Sequence, residues 1–476
     1  MAAYLILNQL CFSFSSSLRN KNSHQYQKAF QCNPPILQIH TNSISPKPLQ
    51  RCSSSSPSTE AIIMNSRAYA DVLAYEGLIS VQDRNSILQG LDEIERRIEA
   101  GEFVWRSDRE DVRTKIEETL TDLIGEPAKM LHTARSGNDQ VATDFRLWCR
   151  DALDDILKKI KKLQVALVTL ALKNEGTKIV IGYPHDLQRV QPVLLEHLLL
   201  AYVEQLDRDA GRFTDCKARL NYCPLGAGID QPIDRFTTYS NALGFTAPLR
   251  NSIDAVSDRD FLLEFLSAIS ITAIHLSRLG EEWVLRASEV FGFLTPNHSV
   301  STDTFSRVVG GLVTLLLRCE GLPQAYNHSD LQEDKEPVFD SVKTIVGMLE
   351  EFSEFAQNVT FNKDRIRKSL RVAHLDATTV ADYLVKKGVP FRTSHDIVER
   401  SVALCVAKGC ELHDLTLDEL RGISPFFSED VYDYLGVENS IKKFCSYGST
   451  GSECVSNQLD FWAAQLEIDR NAYNHK

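Results

Sequence analysis

The stretch WCRDALDDILKKIKKLQVALVTLAL, from Trp148 to Leu172, predicts the architecture of the chain. Its apolar residues recur at every third or fourth position with charged residues between them, which is the pattern of an amphipathic α-helix. They are Leu153, Ile156, Leu157, Ile160, Leu163 and Leu167. A helix of this length, apolar over more than one stripe, needs neighbours on several sides, so it predicts a long helix bundle.

The same periodicity recurs along most of the chain after Glu60. It predicts helices at Val81–Ala100, Val193–Leu206, Phe261–Leu285, Thr344–Phe355 and Leu417–Ile423. Strand-like alternation is nearly absent, and its best candidate is the short stretch Thr177–Ile181. The predicted fold class is therefore all-α, with a long central helix bundle that buries additional faces against other subunits.

Composition excludes several classes of protein. The chain has 476 residues, 43% of them hydrophobic, which is enough for about three domains and a large core. A net charge of -12 argues against a nucleic-acid partner, and we expect no apolar span long enough to cross a bilayer. The 11 cysteines include no C-x-x-C pair, so we expect reduced thiols rather than a zinc or disulfide framework, and no metal site.

The first 59 residues differ in composition from the rest. They contain no Asp or Glu, the first acid being Glu60, and they are rich in serine with a few basic residues. This composition is typical of a chloroplast transit peptide; a disordered tail without a targeting role is the alternative, and a secretory signal fits less well. The predicted organisation is a disordered transit peptide (1–59), an N-terminal helical domain (60–138), a central long-helix bundle (139–390) and a C-terminal helical domain (391–476).

Four polar stretches are candidates for a functional site, although residue chemistry alone favours a structural role for each. HTARSGNDQVATDFRLW (His132–Trp148) precedes a long helix, where its side chains either cap free amides or hold a carboxylate. GYPHDLQRVQPV (Gly182–Val193) carries His185 in a loop, as a catalytic or a structural histidine. NALGFTAPLRNSIDAVSDRDF (Asn241–Phe261) favours a structural joint, and AYNHSDLQEDKEPVFDSVK (Ala325–Lys343) a solvated charged loop.

Taken together, these stretches resemble those of argininosuccinate lyase, in the fumarase/aspartase superfamily. The resemblance runs from about Ser66 to the C-terminus and includes LGFTAPLRNSIDAVSDRDFLLEFL, DLQEDKEPVFDSVKT and YGSTGSECV. It implies a fumarase/aspartase-like fold in a homotetramer, with two smaller helical domains flanking the bundle and sites built from several subunits. It also implies elimination of fumarate from argininosuccinate to give arginine, the last step of arginine biosynthesis, without metal or organic cofactor. With the leader, it indicates an enzyme of the plastid stroma.

The resemblance also implies roles for individual residues. His185 matches the catalytic histidine on the acid side of the reaction, and five residues match substrate contacts: Ser66, Asn138, Tyr326, Gln332 and Lys335. This sequence departs from the motifs of the family in places. Gly137 stands where the S-R-N-D motif has an arginine expected to hold a substrate carboxylate. Pro184 replaces a threonine, and the additional Asp186 leaves the register at His185 open.

The largest departure lies between Thr302 and Asp303. The family has here a mobile loop, G-S-S-x-M-P-x-K-x-N-P, that carries the proposed base serine, and about eighteen residues are missing from this chain. One hypothesis is an argininosuccinate lyase from an active gene, in whose sequence exons have been lost or misjoined. The alternative is a catalytically silent member or splice form that joins mixed tetramers with intact subunits. A weaker third idea is a ligand sensor without turnover. As written, the chain is expected to release no fumarate as a purified homo-oligomer.

Overall fold

The structure, a computed structural model, is described for residues 59–105, 112–133, 137–180, 192–225, 240–295, 335–370 and 374–473. The N-terminal part is helical, with α1 (Thr59–Tyr75), α2 (Val81–Glu99), α3 (Val112–Ile124) and the short α4 (Glu126–Met130). Ser80 begins α2 with a capping box, since its hydroxyl accepts from the Asp83 amide and the Asp83 carboxylate accepts from the Ser80 amide. The transit peptide predicted for residues 1–59 lies almost wholly outside the described ranges.

Within the described ranges, four long helices belong to the central bundle. They are α5 (Gly137–Lys173), α6 (Leu195–Leu220), α8 (Asp260–Ala287) and α9 (Lys335–Asn358), and the short α7 (Ser252–Ser257) precedes α8. The helices predicted within these ranges are confirmed. Three of them extend beyond both predicted ends, whereas α6 begins at Leu195, after the predicted start at Val193, and runs on to Leu220. The apolar stripe of Trp148–Leu172 is buried in α5 against α6 and α9. The all-α fold class is therefore confirmed.

The strands are short and few among the described residues. β1 (Lys178–Val180) pairs antiparallel with β2 (Pro192–Leu194), which confirms the one strand predicted from the sequence. β3 (Tyr222–Cys223) and β4 (Ala247–Pro248) pair in parallel, and β5 (Leu294–Thr295) pairs antiparallel with β6 (Thr360–Phe361). Each pair joins the ends of neighbouring helices rather than forming a sheet with a core of its own.

The C-terminal part consists of shorter helices. They are α10 (Lys363–Ser369), α11 (Ala377–Lys386), α12 (Phe391–Lys408), α13 (Leu417–Ile423), α14 (Val437–Lys443) and α15 (Ser452–Gln465). The predicted helix Leu417–Ile423 has the bounds of α13. Helices α11 to α13 surround a separate apolar core, whereas Leu459 and Trp462 of α15 join the core of the central bundle. The domain boundaries at residues 59, 138 and 390 remain a prediction from the sequence.

Among the described helices, one, α8, is long and apolar enough to cross a membrane, and 56% of its most apolar 18-residue stretch is buried. The expectation that the chain holds no such span is therefore wrong by length and composition. The core helix of a bundle meets the same criteria, because it is apolar on several faces. Here α8 contributes Phe265, Ile269 and Leu276 to the central core.

Candidate active site

The first turn of α5 carries Asn138. The helix begins at Gly137, so Asn138 and Asp139 lie in the turn whose backbone amides have no partner within the helix. Asn138 is half-buried and Gln140 is fully buried. The small polar residues of this stretch thus stand at a helix start, where both of the interpretations made from the sequence, an N-terminal cap and a carboxylate site, remain compatible with the geometry.

Ser66 lies in the middle of α1, where that helix packs against α5. Its side chain is buried, with 3% of the residue exposed, and its neighbour Asn65 is fully buried. The Asn65 side-chain amide donates to the Asp144 carboxylate on α5. Because this contact joins α1 to α5 close to Asn138, it fixes the place of Ser66 relative to the start of α5.

Arg113 of α3 was not singled out in the sequence. Its guanidinium donates from Nη1 to the Gln140 side-chain oxygen at 3.0 Å and to the Gly137 carbonyl at 3.3 Å. Its Nη2 lies 3.6 Å from the Asp144 carboxylate. A signal existed, since Arg113 precedes Ile116 and Leu120 at helical spacing on the apolar face of α3. A cation on such a face is buried and therefore has a specific partner.

Lys335 is the first residue of α9, half-buried, and its ammonium lies 5.8 Å from the centroid of the Phe145 ring on α5. Phe145 follows Asn138 by about two helical turns, so it lies on the same side of α5. The structure therefore brings Lys335 to the same end of the bundle as Asn138 and Ser66. The other substrate contacts expected from the sequence, Tyr326 and Gln332, fall in a range that the structure leaves undescribed.

His185 also falls outside the described ranges, but the structure describes the strands on either side of it. Val180 of β1 pairs with Pro192 of β2. Glu196 lies in the first turn of α6, directly after β2. Its carboxylate accepts a hydrogen bond from the Gly176 amide, just before β1, at an N···O distance of 2.9 Å. Burial raises the pKa of Glu196 to about 7, because the charged carboxylate loses water and gains little in return.

A buried arginine fixes the elements around the start of α5. Arg146, 1% exposed, forms an ion pair with Asp258, donates to the Leu220 carbonyl at 3.0 Å and lies over the Phe261 ring at 4.0 Å. Burial lowers the pKa of its guanidinium, and Asp258 opposes that shift. These contacts join α5 to the end of α6 and the start of α8. They support the interpretation of the Asn241–Phe261 stretch as a structural joint.

The described residues contain no group of three or more His, Cys, Asp or Glu side chains that could hold a metal ion. The groups that the structure brings together are instead an amide (Asn138), a hydroxyl (Ser66) and two cations (Arg113 and Lys335) at one end of the bundle. Such a set suits a ligand with carboxylates, since it offers donors and positive charge.

Two family models match the chain. The model described as lyase matches residues 33–302, and the model described as argininosuccinate lyase C-terminal matches residues 374–442. The first match ends at Thr302. A likeness to solved structures shows the fold. An EDDS lyase variant with bound fumarate shares 24% identity and a TM-score of 0.75, covering 88% of each chain.

Relatives with higher identity carry one common name. Chloroplastic argininosuccinate lyase of Arabidopsis thaliana is 64% identical over 428 residues, covering 85% of this chain and 82% of the relative. Argininosuccinate lyase of Thermus thermophilus is 43% identical over 430 residues, covering 86% of this chain and 92% of the relative. Since one family model covers more than half of the chain and both relatives align over most of it, the chain belongs to the argininosuccinate lyase family.

Proposed function

We propose that the chain is an argininosuccinate lyase, which eliminates fumarate from argininosuccinate and leaves arginine. The observation that carries the proposal is the 64% identity over 428 residues to a relative of that name. The geometry agrees with this reaction, because helices α1, α5 and α9 bring Ser66, Asn138 and Lys335 to one end of the bundle. The alternative of a silent family member is not favoured by these relatives.

The reaction sets three physical requirements. A weakly acidic proton must leave the carbon beside a carboxylate, the departing guanidinium nitrogen must be protonated, and the charge that builds up must be stabilised. In the proposal, Lys335 and the amide of Asn138 stabilise the carboxylates, Ser66 orients them, and Tyr326 and Gln332 add further contacts. His185 is assigned to the acid side of the elimination, and the serine of the family's loop, in a chain that carries the loop, is assigned as the base that takes the proton.

We also propose that the chain works as a tetramer. Most of helix α8 is buried, but three of its apolar residues are exposed in the single chain: Ile274 by 43%, Val284 by 52% and Leu285 by 43%. Ile274 and Leu285 are three helical turns apart and therefore lie on the same face. A second copy of the chain, or an intact paralogous subunit, would cover this face.

The plastid is the proposed location. The support is the acid-free, serine-rich composition of residues 1–59 together with the relative named chloroplastic. Fusion of residues 1–59 to a fluorescent protein should direct it into plastids of a plant cell. Diffuse cytosolic fluorescence of the fusion would refute this location.

Turnover is measured by the ultraviolet absorbance of fumarate, with arginine quantified in parallel. Two proteins are compared: the chain without the loop, and a loop-bearing chain in which the family's loop is inserted between Thr302 and Asp303. We expect the loop-bearing chain to release fumarate and arginine in equal amounts. The chain without the loop should release no detectable fumarate, since losing even one electrostatic contact to the developing charge typically lowers the rate by ~10²–10³ and the loop also carries the proposed base.

The same comparison separates the proposal from the silent-subunit alternative. If the loop-bearing chain releases no fumarate, residues other than the loop have lost the activity, and the proposal fails. Sequencing of the transcript across Thr302–Asp303 gives an independent result. A transcript that encodes the loop would remove the basis of the alternative.

A further inference from the structure

Gly137, at the start of α5, lies close to the Arg113 guanidinium. Among the described residues, a methyl group placed on Gly137 would meet one heavy atom within 4 Å, Arg113 Nη1 at 3.9 Å. In the S-R-N-D motif of the family this position is an arginine, whose guanidinium is expected to hold a substrate carboxylate. The structure therefore places a guanidinium next to the position from which one has been lost, on α3 rather than α5.

The position of Arg113 is well determined by its contacts. The residue is 8% exposed, and Nη1 donates to Gln140 Oε1 at 3.0 Å and to the Gly137 carbonyl oxygen at 3.3 Å. The Asp144 carboxylate lies 3.6 Å from Nη2 on the other side. Asp144 in turn accepts from Asn65, the neighbour of Ser66 in the chain. The guanidinium is thus joined to the two helices that carry Ser66 and Asn138.

Gln140 provides a second observation that points to a ligand. Its side chain is fully buried, and its Nε2 has no hydrogen-bond partner among the described residues. A buried amide donor of this kind costs free energy unless a partner satisfies it. Because Arg113 binds the oxygen of the same amide, the nitrogen is presented beside the guanidinium.

We propose that Arg113 replaces the missing arginine of the motif and binds a carboxylate of the succinate half of the substrate. On binding, Nη1 exchanges the Gly137 carbonyl for a carboxylate oxygen, and Gln140 donates from Nε2 to the same group. Asp144 keeps the guanidinium oriented. This assignment rests on the proposed function, because argininosuccinate is the ligand that it concerns.

The charge and shape of the guanidinium both matter for this role. An arginine presents two parallel N–H groups that match a carboxylate, whereas lysine presents a point charge. A hydrogen bond to a charged group is worth enough to change a dissociation constant by ~10- to 100-fold. Arg113→Met is therefore expected to weaken argininosuccinate binding by this factor, and Arg113→Lys by less.

The experiment measures the dissociation constant of argininosuccinate for the full chain by titration calorimetry. The variants are Arg113→Met, Arg113→Lys and the double variant Arg113→Met/Gly137→Arg, which moves the guanidinium back to α5. The matched control is Arg84→Met, since Arg84 also pairs with a carboxylate, Asp71, but on the surface. Thermal melts of each variant show that it is folded at the titration temperature.

We expect weak binding by Arg113→Met, recovery to within about threefold of wild type in the double variant, and no change in the control. Recovery separates a binding role from a merely structural one, because Gly137→Arg does not rebuild the contacts of Arg113 with Gln140. Binding by Arg113→Met within about twofold of wild type, or no recovery in the double variant, would overturn the inference. If the wild type binds argininosuccinate but the loop-bearing chain does not convert it, the proposed function fails and the role of Arg113 in binding stands. No binding by the wild type overturns both.

Discussion

Replacement of Arg146 by methionine tests how the bundle holds the start of α5. The methionine has a similar length but removes the ion pair with Asp258, the hydrogen bond to the Leu220 carbonyl and the contact with the Phe261 ring. Breaking a buried ion pair typically lowers the free energy of unfolding by ~3–5 kcal/mol, because the remaining charge stays buried. Asp258 keeps 19% of its side chain exposed and can partly rehydrate. We therefore expect a loss near the lower end, ~3 kcal/mol.

The assay is urea unfolding followed by circular dichroism at one fixed protein concentration, since subunit association contributes to stability. Arg146→Met, Asp258→Asn and the double variant form a cycle, and we expect the double variant to lose at least ~1 kcal/mol less than the sum of the single losses. Arg96→Met is the control, because Arg96 pairs with Glu93 on the surface of α2, and its midpoint should not change. A midpoint of Arg146→Met equal to that of wild type, or strictly additive losses, would show that the pair with Asp258 does not stabilise the fold.

Three further predictions concern other parts of the structure. Because the pKa of Glu196 is raised to about 7 from an ordinary 4.5, the folded chain holds a proton there that the unfolded chain has lost, so this residue makes stability fall as the pH rises from about 5 to 7. Glu196→Gln should flatten that slope in thermal melts, and an unchanged slope would count against the assignment. Gly451→Ala should lower the free energy of unfolding by ~2 kcal/mol or more, since the added carbon would lie 1.8 Å from the Phe444 carbonyl oxygen. Gly422→Ala, in a helix with open space, should be neutral or stabilising, and equal effects at the two glycines would contradict the packing. Lys335→Met in the loop-bearing chain should lower kcat/KM by ~10²-fold with an unchanged melting temperature, and full activity would exclude Lys335 from the site.

Periodicity was sufficient to predict the main helices of the bundle, because burial of an apolar stripe determines where a helix forms. The ends were predicted less well. Helix α5 begins at Gly137, well before the predicted start at Trp148. The apolar pattern does not reveal this start, because the first turns carry buried polar residues: Asp139, Gln140, Thr143 and Asp144. The polar pattern that obscured this boundary belongs to the candidate site.

The partners of Arg113 could not be predicted from the sequence. Its place on the apolar face of α3 indicates burial, but Gln140 and Asp144 are more than twenty residues away in the chain. Their proximity depends on how α3 packs against α5, which periodicity does not determine. Trp462 illustrates the same limit, because its place in the central core depends on the return of α15 to the bundle, where it donates to Glu204.

We propose that this chain holds an argininosuccinate site where α1 and α3 meet one end of the central bundle, at α5 and α9. A crystal structure of the chain with bound argininosuccinate tests it most directly. We predict electron density for the succinate half between Ser66, Asn138 and Lys335, with one carboxylate on Arg113. An empty site at saturating ligand, or ligand bound elsewhere on the chain, would show that these residues do not form the argininosuccinate site.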